Sequence, residues 1–163
     1  MAQRDRAALT AAIGAALADL QAAYDDRDRA MAEALGINRT DLRCLDLIVR
    51  GGPRTATELA ARMHLTRGSM TTLIDRLEAV GYVQRQGDPQ HGRRKLIVPT
   101  AALMAAIHPL LKPAIENGQA RLAKYTDAEL RLILGFLRET HDGQGAVIDA
   151  IRGARRADRV ING

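Results

Sequence analysis

Aromatic side chains are scarce in this sequence of 163 residues, which has no Trp, one Phe and three Tyr. Modules that hold single-stranded nucleic acid stack bases on aromatic faces, so an RNA or single-strand binder is disfavoured. An aromatic-lined ligand pocket would have few walls to draw on, chiefly Tyr24, Tyr82 and Tyr125, each of which reads better as a core or interface residue. Cysteine occurs once, at Cys44, so no intramolecular disulfide can form and a reducing compartment is the natural setting. The four histidines, His64, His91, His108 and His141, are scattered without a Cys or His partner at zinc-ligand spacing, so no metal is expected. No run approaches the roughly twenty apolar residues of a membrane span. The Ala-rich N-terminus resembles a signal peptide only superficially, because Asp5 and Asp19 interrupt it and the apolar spacing continues to Tyr24. The expectation is a soluble cytoplasmic protein with no membrane partner. Catalytic apparatus is missing too: Ser69 has no positioned His, the carboxylates show no pairing, and no Gly-rich phosphate loop follows a strand. Neither an enzyme nor a cofactor is expected.

What is present is a foldable composition, 47% hydrophobic and 26% charged, long enough for one domain with a real core. The net charge of +5 is unevenly placed. Between Arg50 and Thr100 nine basic side chains face four acidic ones, while the rest of the chain balances to zero. The entire basic excess therefore sits in one segment, where a polyanion would be steered.

Along the chain, Leu9, Ile13, Leu17, Leu20, Tyr24 and Met31 recur at helical spacing and predict a long amphipathic helix ending at Gly36. A short helix follows, with Asn38 as N-cap and Gly51-Gly52-Pro53 as its stop; Cys44 falls on it beside Leu45 and Ile48 and reads as a small buried hydrophobe. Thr55-x-x-Glu58 is a capping box opening another short helix. Thr66 is a fresh N-cap only a few residues later, so two short helices are joined by a tight turn: a helix-turn-helix. His64 sits in that turn, where a residue tolerant of positive φ is useful.

The helix from Thr66 combines a strict apolar stripe, Met70, Leu73, Ile74 and Leu77, with an opposite face of Gly68, Thr71, Thr72 and Asp75, flanked by Ser69 and Arg76. A helix entering a major groove needs short side chains that hydrogen-bond to base edges and phosphates. Gly68 costs a helix about 1 kcal/mol relative to Ala, a cost that a merely solvated face has little reason to bear. After it, Val83 and Arg85, then Leu96, Ile97 and Val98, bracket Gly87, Asp88-Pro89 and Gly92, predicting a two-stranded hairpin with Arg93, Arg94 and Lys95 near its tip. Such a hairpin leans on the helices as a wing, and its basic residues suit phosphate or minor-groove contact. The remainder is helical, with Pro109 and Pro113 as expected kinks, a capping box at Thr126-x-x-Glu129, and a possible break at Gly143 and Gly145.

In this order of parts the chain resembles the MarR family of winged-helix transcriptional regulators over nearly its full length. "TATELAARMHLTRGSMTTLIDRLEAVGYVQR" is similar to the family's helix-turn-helix, and "DPQHGRRKLIVPT" to its wing. The resemblance implies a mainly α fold: a single domain over 1–163, with a winged helix-turn-helix lobe at 36–100, a two-stranded wing, and dimerisation helices at 1–35 and 101–163. It places Thr66, Arg67, Gly68, Ser69, Thr71, Thr72 and Arg76 on the DNA side with Arg93, Arg94 and Lys95 of the wing, and makes Asp75 an organiser of nearby arginines. Gly92 and His91 depart from the family's wing pattern, and Thr72 stands where a larger basic residue is frequent, implying an operator of its own. The implied partners are a palindromic double-stranded operator, a second copy of the chain and a small aromatic effector, the implied role that of a repressor. The rival reading is a winged helix used for protein contact without DNA, against which the concentrated basic charge argues.

Overall fold

The computed structural model describes the chain from Ala2 to Ile161. Its elements run α1 (Ala2–Ala34), α2 (Arg39–Gly51), β1 (Arg54–Thr55), α3 (Ala56–Met63), α4 (Arg67–Ala79), β2 (Val83–Gly87), β3 (Lys95–Pro99), α5 (Ala101–Leu122) and α6 (Asp127–Ile161). The chain divides into two compact units, Met1–Lys112 and Pro113–Gly163.

The local chemistry of the first unit fixes where each helix begins and ends. Asn38 caps α2 by accepting the Asp41 N–H at 2.9 Å. Thr55 and Glu58 form the complete capping box of α3, and the Thr55 N–H bound to Glu58 holds that carboxyl below its ordinary range. His64 closes α3 at φ 54° and ψ 39°, the only non-Gly residue with positive φ among the described residues. Its left-handed turn returns the Leu65 N–H to Ala60 O at 2.9 Å, and Thr66 starts α4 by capping the Ser69 N–H. Gly81, at φ 81°, ends α4 in the same way, with the Tyr82 N–H bound to Leu77 O at 2.9 Å.

The core of this unit joins Leu45 and Ile48 of α2, Leu59 of α3, the four apolar residues of α4, Val83 and Ile97 of the sheet, and Leu103 and Ile107 of α5. Tyr82 ties the end of α4 to the end of α1 by donating its hydroxyl to Leu35 O at 3.1 Å.

The hairpin pairs Val83 with Pro99 through Gly87 with Lys95, as the turn chemistry implies. The expected two-stranded wing is joined by a third, unexpected strand: Arg54 and Thr55 pair with Ile97 and Leu96, making an antiparallel sheet of order β1-β3-β2. Two residues are too few to show an alternation in sequence, and it is the partner strand that makes them a strand. α5 is continuous through Pro109 and Pro113.

In the first unit, α1 packs only its C-terminal end, through Met31, Ala32 and Leu35, and leaves Leu9, Ile13, Leu20 and Tyr24 exposed. An 18-residue window within its Gln3–Ala34 stretch reaches a mean hydropathy of 1.3, which by length and composition alone is enough to cross a membrane, where no such run was expected. That apolarity is largely alanine, and the large residues form a one-sided stripe rather than the all-round surface of a span. In the second unit, α6 runs unbroken past Gly143 and Gly145 and carries the exposed side chains Leu134, Leu137, Val147, Ile148 and Ile151.

Cys44 is fully buried, and desolvation, reinforced by the Asp41 charge, pushes its thiol from 9.0 up to about 12. Because the folded value is raised, the thiol's contribution is complete below about pH 9 and is lost progressively towards pH 12, where only the unfolded chain ionises freely. The stability difference between wild type and Cys44→Ala should therefore be constant below about pH 9 and shrink as the pH rises towards 12. Alkylation by iodoacetamide at pH 8 should follow global unfolding, and rapid modification of native protein would contradict the burial.

Candidate nucleic-acid interface

The inward stripe of α4 is seated completely: Met70 and Ile74 are 0% exposed, and Leu73 and Leu77 no more than 1%. With that face fixed, the helix must present Arg67, Gly68, Ser69, Thr71, Thr72 and Asp75 to solvent, and all of them are exposed. A Cβ built on Gly68 would meet no atom within 4 Å, so no crowding inside the chain requires glycine there.

Hydrogen bonding sorts these residues. Thr66 Oγ1 accepts the Ser69 N–H at 3.2 Å and shares a bond of 2.9 Å with Ser69 Oγ, so both side chains serve first as the cap of α4. Thr71 donates its hydroxyl to Arg67 O at 3.0 Å and Thr72 donates to Gly68 O at 3.2 Å. Their protons are spent on the helix, and the lone pairs left over make both side chains acceptors on the outer surface. Arg67 stands exposed at the entrance of the helix. Arg76 differs from the rest: it is held by the buried Asp41 of α2, with Nη2 donating to Oδ1 at 2.7 Å. The paired carboxylate raises the guanidinium pKa further.

Arg93, Arg94 and Lys95 are exposed beside the turn that opens β3. Asp88 organises that turn, accepting the Gln90 N–H on Oδ1 at 2.8 Å while its own N–H donates to Arg94 O at 3.0 Å. His91 Nδ1 lies 3.5 Å from Asp88 Oδ2, so the departure from the family's wing pattern contributes to the turn itself. The wing is clamped to α4 by Arg85, whose Nη2 donates to Asp75 Oδ1 at 2.7 Å and whose Nη1 and backbone N–H both engage Glu78. Asp75 is thus an organiser of an arginine, that of β2. Beside α4, Asn38, Arg39 and Thr40 of α2 join Ser69, Thr72 and Arg76 around an open groove of about 660 Å³. Neither these α2 residues nor Asp41 stands out in sequence as part of a site. The only local signal is Asp41's place three residues after the Asn38 cap.

The model described as MarR family matches residues 35–94, which span α2, the helix-turn-helix and most of the hairpin. The uncharacterized HTH-type transcriptional regulator YcgE of Bacillus subtilis (strain 168) is 42% identical over 114 residues, covering 70% of this chain and 74% of that protein. The chain belongs to the MarR family. The MarR fold extends through the solved structures. A MarR family protein from Bacillus stearothermophilus superposes with TM-score 0.62 at 22% identity, covering 83% of this chain and 94% of that one. A point mutant of S. aureus MepR bound to oligodeoxyribonucleotide superposes with TM-score 0.52 at 17% identity, covering 78% and 94%. This chain is accordingly a MarR-family helix-turn-helix transcriptional regulator, mainly helical with a small antiparallel sheet.

Arg85→Ala should release the wing from α4 without unfolding the lobe. The clamp is partly exposed, so the global stability loss should stay below about 1 kcal/mol. Hydrogen exchange at the Gln84, Gln86 and Gly87 amides should accelerate several-fold, and unchanged exchange would show that the strands hold the wing unaided.

Proposed function

We propose that this MarR-family regulator binds duplex DNA as a homodimer, reads a palindromic operator with α4 and represses by occupying it. In this reading Thr66 and Ser69 set the start of the reading helix, while Gly68, Thr71 and Thr72 face base edges. Arg67, Arg93, Arg94 and Lys95 bear on the backbone or minor groove, and Arg76 contributes from the end of the same surface. The chain acts as one MarR-type domain, with 36–100 as the DNA lobe and 1–35 and 101–163 as the dimerisation region, in the cytoplasm. The observation that carries the reading is the exposed face of α4, made of small hydrogen-bonding side chains, inside the segment that holds the whole basic excess. The oligonucleotide-bound MepR mutant supports it by fold.

Dimerisation is supported by exposed apolar side chains that a lone chain leaves in water, Leu9 and Ile13 on α1 and Leu137 and Ile148 on α6. Release by a small aromatic effector is carried by the family resemblance. Two cavities beside α2 and α4 are lined by no aromatic side chain, and Tyr82 is engaged with Leu35.

Sedimentation at micromolar concentration should give twice the chain mass, and a folded monomer would refute the dimer. Selection from a random DNA pool should return an inverted repeat with half-site centres about 10 bp apart or a small multiple of it. Sites with no symmetry would count against two-fold reading.

The two DNA-facing elements should fail differently. Arg93→Ala should weaken binding to every duplex alike and lower the salt slope by about one. Thr72→Ala should cost on the order of 1 to 3 kcal/mol per half-site, at one base pair offering an amino donor, with the slope unchanged. The check is titration of operator, single-base variants and unrelated duplex over a salt series. A uniform loss in Thr72→Ala would remove α4 as the base reader.

A further inference from the structure

Among the described residues one charged side chain is buried, Asp41, at 3% exposure. It lies in the first turn of α2, with its own N–H bound to Asn38 Oδ1. Arg76 meets it from α4, 35 residues further along the chain, with Nη2 donating to Oδ1 at 2.7 Å and Nε to Oδ2 at 3.3 Å. This is the two-pronged arginine–carboxylate geometry that fixes a guanidinium in both position and plane. Nearly half of the Arg76 side chain, 48%, remains exposed, and its other N–H groups donate to no protein acceptor among the described residues. Arg76 also lines the 660 Å³ groove that Ser69 and Thr72 share, so its far edge borders the reading face of α4.

An arginine free to move over a recognition helix serves as a point charge for the nearest phosphate, adds to counterion release and discriminates nothing. A tethered arginine behaves differently. Its charge is offset by the carboxylate behind it, and its end-on pair of amino groups is held in one plane, which bidentate recognition of guanine O6 and N7 requires. We propose that Asp41 is a positioning residue for operator readout, holding Arg76 as a charge-neutralised, fixed donor edge that discriminates a base pair instead of gripping phosphate. The proposal rests on α4 being the DNA-reading helix.

The test is binding of the full chain to the selected operator and to an unrelated duplex over a salt series, with circular dichroism melts to confirm folding. In Asp41→Asn the released guanidinium should reach phosphate, so affinity for unrelated duplex rises and its salt slope steepens by about one. The ratio of operator to unrelated affinity should fall about ten-fold, within the range of one lost bidentate base contact. An equal rise on both duplexes, leaving the ratio intact, would mean that the carboxylate only adds negative potential, and would overturn the proposal. Because Asn could weaken the α2–α4 contact, Arg76→Gln is the second arm, since its amide can still donate one hydrogen bond to Asp41. There the ratio should fall with the slope unchanged, whereas a slope lower by about one with an intact ratio would make Arg76 a phosphate contact and overturn the proposal. Wild-type protein that bound neither duplex would instead overturn the DNA reading itself.

Discussion

The burial of Met70, Leu73, Ile74 and Leu77 against α2, α3 and the sheet is the constraint from which the rest of the lobe follows. Each such side chain contributes roughly 1.5 to 3 kcal/mol when fully buried, far more than any hydrogen bond on the opposite face. α4 therefore cannot roll, and its outward residues are presented whatever their own preferences. This permits a glycine and two threonines in a helix whose local propensity is poor. It also explains how α3, eight residues long, can exist at all: it is capped at both ends and holds Leu59 in the shared core.

Around that seat, charged groups do secondary work that differs with burial. The Arg85 clamp to Asp75 and Glu78 is partly exposed and water competes for it, so it orients the wing more than it stabilises the fold. The Asp41–Arg76 pair has one end inside the core, where a carboxylate without its partner would be strongly disfavoured. It therefore couples the position of the reading helix to the first turn of α2, and does so at the edge of the surface that faces DNA in the proposed reading. Arg93 and Arg94 lie in a turn that Asp88 organises and Lys95 opens β3, and all three side chains are exposed, as suits the phosphate-tracking role they have in the proposed reading.

Much of the lobe was legible in the sequence because its signals are local. Helix caps act over three residues, so Asn38, Thr55 and Thr66 could be read directly, and each makes its cap bond. The left-handed turn at His64 follows from the tight space between two helices, and the four-residue stripe of α4 follows from a period of 3.6. The third strand was not legible, since Arg54 and Thr55 are a strand only because β3 lies beside them. Unbroken α5 and α6 likewise went against local propensity, Pro109, Pro113, Gly143 and Gly145 all lying within helix.

Sequence alone determined the period of each helix, its capping residues, the concentration of positive charge between Arg50 and Thr100, and hence which surface of α4 is polar. Tertiary structure alone decided which of those polar groups are free and which are committed. Arg67 and Arg76 look alike in sequence, yet one stands exposed at the helix entrance and the other is gripped by a carboxylate 35 residues away. The reason is range: caps and amphipathic stripes are set by neighbours within a turn or two. An ion pair between helices depends on how two cores pack, and no local spacing records that.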